Sequence, residues 1–396
     1  MVPVTVKLAC AGFGVGFAAF AGFNMWREGK GHVLRQYDAD YISQVRAQDA
    51  YERLKSAEGN SLLKKHLNKS LMRQLRLAKT HRGATLYDLV KLGASHPDSV
   101  VGLTAPDVES YTKFKALFKP ILEDLHGPTV FKTRQPPSDF GTDGDLKELA
   151  DLDPKGDRVL EATVECRRNI DGYPLKFLLQ SDDYAVLERR VKDALGLSVD
   201  GDSSSKTKIK GSYVSLATGD EAAKKELARQ GALFDDKDDG KAIERRQAYP
   251  SWPDGRGVFR TQDGSLVIWI NEQDHVRLIG KVKGGRLGEA LKPVRDAATD
   301  LESKLLMSRH AVLGYLTSDL RDVGCATRAT VEVKLPALAK RKDLEEVCEK
   351  LNLRVDKRPN GALALSNRRT VGVTELRAVQ DVHEGVASLL QLDRES

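Results

Sequence analysis

From Leu8 to Trp26 no residue is charged, with Lys7 before the run and Arg27 and Lys30 after it. A helix rising about 1.5 Å per residue needs roughly 20 apolar residues to cross a hydrocarbon core, so the run predicts one transmembrane helix, with Trp26 as an interfacial anchor. Within it Gly12 and Gly16, then Ala18 and Gly22, form small-xxx-small pairs that let another helix approach closely. The run is longer than a signal-peptide core and lacks the Arg- and Ser-rich pattern of an import sequence. Gly12, Gly14 and Gly16 have the wrong spacing for a dinucleotide fingerprint, and no strand precedes them.

Residues 28–60 are polar and helix-permissive and predict a helical stalk, after an anchor segment of residues 1–27. From 61 to 126 apolar residues recur at helical spacing (Leu62, Leu63, Leu67, Leu71, Leu75), which predicts a small all-α domain. Its first part carries Lys64, Lys65, Lys69, Arg73, Arg76 and Lys79 with no acid among them, the pattern of a solvated basic face that also suits anionic lipid. Residues 127–152 turn to Pro, Gly and Asp and read as a linker. In 153–396, β-rich runs at 265–270 and 329–335 alternate with helical stretches at 287–305 and 344–351, a mixed domain of strands and helices. Residues 195–211 read as a surface loop.

Composition changes this picture little. The 63 Lys+Arg against 57 Asp+Glu leave a net charge of +6, too small and too dispersed to argue for a nucleic-acid partner. Cys10, Cys166, Cys325 and Cys348 lie far apart with no CxxC pair, so neither a zinc site nor a disulfide framework is expected. No metal and no resident cofactor is predicted.

Several stretches are specific as words. Gly-Ala-Thr-Leu-Tyr-Asp-Leu-Val (83–90), Gly-Leu-Thr-Ala-Pro-Asp-Val-Glu-Ser-Tyr (102–111) and Gly-Tyr-Pro-Leu after Asp171 are three of them. Trp-Pro-Asp-Gly-Arg-Gly-Val-Phe (252–259), Val-Ile-Trp-Ile-Asn-Glu-Gln-Asp-His-Val-Arg (267–277) and Arg-Ala-Thr-Val-Glu-Val-Lys-Leu-Pro (328–336) are the others. From about residue 45 onward the chain resembles the phosphagen (guanidino) kinases, arginine kinases above all. The resemblance implies an α+β architecture, a small all-α N-terminal domain followed by an antiparallel β-sheet flanked by helices, here preceded by one transmembrane helix. It also implies transfer of the terminal phosphoryl group of MgATP to a guanidino nitrogen, with arginines on the phosphates and carboxylates on the guanidinium.

Measured against that resemblance, functional positions depart. The two phosphate-gripping arginines are replaced by Thr163 and Glu165, and the substrate carboxylate of the Asn-Glu-Glu-Asp-His motif by Gln273. The cysteine position reads Asp319, which Cys325 does not restore, and the specificity-loop tyrosine is Thr104. The mobile loop near the C-terminus is shortened to 356–364 and holds no Glu. Arg277 and Arg328 match phosphate-binding arginines and remain candidates for a residual anion site. The scaffold words survive while these positions change, so the sequence by itself predicts a catalytically inactive relative, a pseudoenzyme. It would serve as an accessory subunit of a mitochondrial inner-membrane complex, plausibly of the respiratory chain. The partners expected are other membrane subunits and the bilayer through residues 8–26, with the soluble body leaning toward the matrix by the count of flanking cations and a homodimer left open. Two other readings stand beside it: a membrane-tethered guanidino kinase using ATP, and a ligand-sensing module.

Overall fold

The computed structural model describes residues 31–197, 209–233 and 251–395. The expected membrane helix, with Gly12, Gly16, Ala18 and Gly22, lies outside the described residues. No described helix is long and apolar enough to cross a membrane. The described chain divides into two compact units: one runs up to Thr104 and takes in Glu109–Ile121, and the other holds Ala105–Val108 and the chain from Leu122 onward.

The first unit is helical, as expected, with helices Gly31–Ser56, Leu62–His66, Lys69–Leu75, Leu86–Ser95 and Ser110–Lys113. Helix starts are set by caps. Asn68 Oδ1 accepts from Leu71 N at 2.9 Å, and Thr85 and Asp88 form a reciprocal capping box. The stretch expected as a stalk is helical but belongs to this unit. Ala47, Ala50, Tyr51 and Leu54, spaced to share one face, are buried and pack along Leu86–Ser95. In the basic stretch Leu63, Leu67, Met72 and Leu75 turn inward while Lys65, Lys69, Arg73 and Arg76 are exposed.

The second unit is built on an eight-stranded antiparallel sheet. Its strands are β1 (Val159–Arg168), β2 (Gly211–Ser215), β3 (Gly257–Thr261), β4 (Leu266–Ile270), β5 (Val276–Lys283), β8 (Thr327–Val333), β9 (Leu353–Lys357) and β10 (Leu363–Asn367). Their order is β2-β3-β4-β5-β1-β8-β10-β9, and β6 (Arg309–His310) pairs with β7 (Gly314–Tyr315) separately. Helices Ser181–Leu195, Leu287–Lys304 and Glu375–Glu395 supply apolar residues to one continuous core with Val164, Ile268, Leu278 and Val331 of the strands. Helix 287–304 lies so close to β5 that a Cβ on Gly280 would fall 1.9 Å from Ala290 O, so only glycine fits there. The expected linker holds a short helix, Asp143–Glu148, capped by Thr142 and Asp145.

A buried ion pair sits beside this core. Arg168 is fully buried, donates from Nε to Glu302 Oε1 at 2.6 Å and from Nη2 to Glu375 Oε1 at 2.8 Å, and stacks 3.6 Å from the Tyr315 ring centroid. The α+β expectation is met in the described residues: a helical unit, then an antiparallel sheet with helices.

Candidate functional site

Side chains alternate along a strand, so β1 divides cleanly. Ala162, Val164, Cys166 and Arg168 face the core, whereas Glu161, Thr163, Glu165 and Arg167 share the other face. The register brings partners onto that polar face: Glu165 stands opposite Arg328 of β8, and Arg167 opposite Arg277 of β5. Arg277 reaches diagonally to Glu165, with Nη2 donating to both carboxylate oxygens at 2.8 Å, and Arg167 Nη2 adds a contact at 3.2 Å. Arg328 Nη2 donates to Asp322 Oδ1 at 2.6 Å, while Arg167 Nε lies 3.5 Å from Asp322 Oδ2 and 3.9 Å from Asp274 Oδ2. The Arg277 guanidinium also lies 4.7 Å from the Trp269 ring centroid. Three arginines from three adjacent strands thus converge on one face and are matched by Glu165, Asp322 and Asp274.

Electrostatics follow from that matching. Burial pushes the Glu165 carboxyl up, but Arg277 and Arg167 outweigh it and hold it below the usual range. For Asp322, burial is again outweighed by Arg167, Arg328 and Arg321, leaving it at about 2. Asp274 differs, because burial dominates its hydrogen bond from Asn169 and the attraction of Arg167 and raises it to about 6. The turn between β4 and β5 is locked by His275, whose Nδ1 accepts from Ile170 N at 2.9 Å while Nε2 lies 2.9 Å from Pro174 O. That pattern demands the neutral ring, and burial lowers the His275 pKa to about 4.

The positions singled out from the sequence are only partly gathered. Glu165, Thr163, Arg277 and Arg328 share the polar face, and Gln273 is half-buried in the β4–β5 turn beside Glu272, whose Oε2 is 3.7 Å from Arg277 Nη1. Asp319 caps a turn, accepting from Arg321 N at 2.9 Å and Arg321 Nε at 3.0 Å. Thr104 belongs to the helical unit, where its N donates to Leu89 O at 3.1 Å. Cys325 is buried and its thiol pushed up by burial, so it is no substitute nucleophile or orienting thiolate. Arg167, Asp274 and Asp322 were missed; the period-two alternation from Thr163 to Arg167 is the signal that finds the first. The cavity of about 1090 Å³ lined by Lys210, Thr261, Asp263, Arg295 and Asp300 shares no residue with this cluster.

Residues 57–123 match the N-terminal domain of the ATP:guanido phosphotransferases and residues 191–396 their C-terminal catalytic domain. The chain is 35% identical over 347 residues to the arginine kinase of Limulus polyphemus, covering 86% of this chain and 94% of that protein. It belongs to the ATP:guanido phosphotransferase family. As a member of that family it is also 34% identical over 367 residues to the arginine kinase of Penaeus monodon, covering 90% of this chain and 99% of that one. Among solved structures, the substrate-free duplicated taurocyamine kinase from Schistosoma mansoni has the same guanidino kinase fold, with a TM-score of 0.78 and 30% identity over 88% of this chain. This chain spans about half of that duplicated protein, 49%.

These relatives overturn the expectation of a pseudoenzyme. Both family domains are present, and the relatives matched over nearly their whole length are arginine kinases, which points to a phosphotransferase. The physical reason lies in the cluster. Against the lost charges stand Arg277 and Arg328, which match phosphate-binding arginines, and the strand register brings Arg167 onto the same polar face. The accessory-subunit expectation leaned on the same substitutions, and the relatives named here are arginine and taurocyamine kinases.

Proposed function

We propose that this chain transfers a phosphoryl group between ATP and a guanidino compound, arginine foremost. The observation that carries the reading is the convergence of Arg277, Arg167 and Arg328 from β5, β1 and β8 on one face, at positions two of which match phosphate-binding arginines. Phosphoryl transfer asks a protein mainly for positioning and charge: the guanidino nitrogen forms a bond to the terminal phosphorus as the bond to the ADP oxygen breaks. The arginines supply charge to the transferring oxygens. The proton leaving the guanidinium passes to a carboxylate, and Glu165 and Glu272 are those nearest Arg277. The family membership and the arginine kinase relatives support arginine as acceptor. The uncharged run from Leu8 to Trp26 supports attachment of this activity to a membrane.

A coupled assay of ADP release with arginine, creatine or taurocyamine tests it. Turnover with one of them, lowered at least about 100-fold by Arg277→Ala, is the expected result. No turnover with any acceptor, or turnover indifferent to Arg277→Ala, rejects the reading.

A further inference from the structure

Between Ser61 and Arg82 the helical unit carries seven Lys and Arg side chains and no Asp or Glu. Around helix Lys69–Leu75 the fold sorts them. Met72 and Leu75 are buried, whereas Lys69, Arg73 and Arg76, four and three positions apart, are exposed on the other side, and Leu77 in the turn that follows is 69% exposed. Among the described residues Lys69, Arg73 and Arg76 have neither a hydrogen-bond nor an ion-pair partner for their side chains. Lys55 and Lys64 end on carbonyls, Lys55 Nζ donating to Lys64 O at 2.6 Å and Lys64 Nζ to Ala57 O, which leaves their charge unmatched by any described acid. Two other cations of the unit are matched: Lys79 Nζ lies 2.8 Å from Asp40 Oδ1 and Lys91 Nζ 3.3 Å from Asp88 Oδ1.

Apolar side chains are exposed on the same unit. Of the seven large apolar residues exposed among the described ones, five (Tyr41, Ile42, Val45, Leu77 and Val100) belong to it, although the other unit holds most of the chain. Tyr41, Ile42 and Val45 lie about one turn apart on helix Gly31–Ser56, on the side away from the buried Ala47, Ala50 and Leu54. The Lys79–Asp40 ion pair joins the end of the basic stretch to the helix next to Tyr41. Exposed apolar side chains beside unmatched cations supply the two contacts that a bilayer interface takes: charge for the anionic headgroups and apolar surface for the acyl boundary below them.

We propose that this face of the helical unit, with Lys69, Arg73, Arg76 and Leu77 at its centre, lies on an anionic phospholipid surface. Charge complementarity favours it: each Lys or Arg brought near an anionic bilayer strengthens association about 5-fold, so three amount to roughly 100-fold. The chain supplies the proximity. Trp26, at the end of the uncharged run, precedes Tyr41 by 15 positions, at most about 50 Å of backbone, so attachment through that run keeps the face within reach of the headgroups at high effective concentration. A soluble acidic partner would gain nothing from that nearness.

The full chain reconstituted into vesicles tests the contact without requiring turnover. A fluorophore on Leu77→Cys, with Cys10→Ser so that only the buried Cys166, Cys325 and Cys348 remain, reports its nearness to a nitroxide-labelled headgroup lipid. The vesicles are phosphatidylcholine alone or phosphatidylcholine with phosphatidylglycerol. Because the run Leu8–Trp26 would hold the chain to both, a difference between them reads this face alone. Quenching is expected in the anionic vesicles only, and about 0.5 M salt should reduce it. Lys69→Gln/Arg73→Gln/Arg76→Gln should bring it down to the neutral-vesicle level, with an unchanged melting temperature because these side chains are exposed. Equal quenching in both vesicles, quenching in neither, or quenching that survives salt and the triple variant overturns the proposal. Polyglutamate binding that the triple variant abolishes, in a chain whose label anionic vesicles leave unquenched, overturns it too and assigns the face to an acidic protein.

Discussion

Glu165→Gln isolates the charge at the centre of the polar face. The carboxylate takes two 2.8 Å contacts from Arg277 Nη2 and one of 3.2 Å from Arg167 Nη2, at 19% side-chain exposure. A hydrogen bond to a charged group is worth about 1.5–3 kcal/mol net. A phosphate must now compete with Glu165 for Arg277; an amide of the same shape leaves the guanidinium available and removes a negative charge from beside the incoming polyanion. Nucleotide binding should therefore tighten by about 1.5–3 kcal/mol, a roughly 10- to 150-fold lower Kd. The same change weakens the partners of Arg277 and Arg167 and should cost about 1–3 kcal/mol of folding stability. Titration calorimetry with ADP and urea unfolding, run on both proteins, read the two quantities. Opposite signs are the signature, since general damage to the site would lower both. Unchanged or weaker ADP binding in the variant would refute the reasoning.

Two further outcomes follow from buried groups. His275, with its folded pKa near 4 against the ordinary 6.5, stays neutral while the unfolded chain gains a proton, so its stabilising contribution is present above pH 6.5 and lost as pH falls toward 4. That amounts to about 2 kcal/mol between pH 7 and 5. Asp274, raised to about 6, acts in the opposite sense, favouring the fold below the ordinary carboxylate range and losing that contribution as pH rises through 6. His275→Gln should therefore show a flatter fall in melting temperature from pH 7 to 5 than wild type, and an identical slope would refute the assignment. Arg168→Met leaves Glu375, itself only 1% exposed, as an uncompensated buried charge and should cost about 3–5 kcal/mol in denaturant unfolding. A loss below about 1 kcal/mol would mean that Glu375 is held by Ser138 and Asp139 alone.

Much of the fold was legible because periodicity and turn residues report burial directly. The run at 265–270 became β4, that at 329–335 overlaps β8, and the helical stretches at 287–305 and 344–351 became helices 287–304 and 344–350. The stalk was misread because the buried face of helix 31–56 joins Leu54 to two alanines, Ala47 and Ala50, and to Tyr51, residues that a hydropathy pattern underweights. At the site, Glu165 was legible as a departure but its consequence was not. Repulsion of a polyanion is what one carboxylate predicts alone, and the pairing with Arg277 depends on a strand register more than a hundred residues long in sequence.

The strand that holds Glu165 and Arg167 is laid down early and finished late. β1 is flanked by β5 and β8, both far downstream, and Arg158 just before it pairs with Asp393 in the last helical turn, 235 positions away. Asp393 also accepts from Ala337 N and Leu338 N, so one side chain ties three distant parts of the unit. On a ribosome such a topology leaves the centre of the sheet with open edges until its partners emerge. The polar face of β1 is therefore complete only once both β5 and β8 have been made. A premature stop upstream of β8 would release a chain in which β1 lacks one of its two partners, a natural substrate for chaperones and proteases.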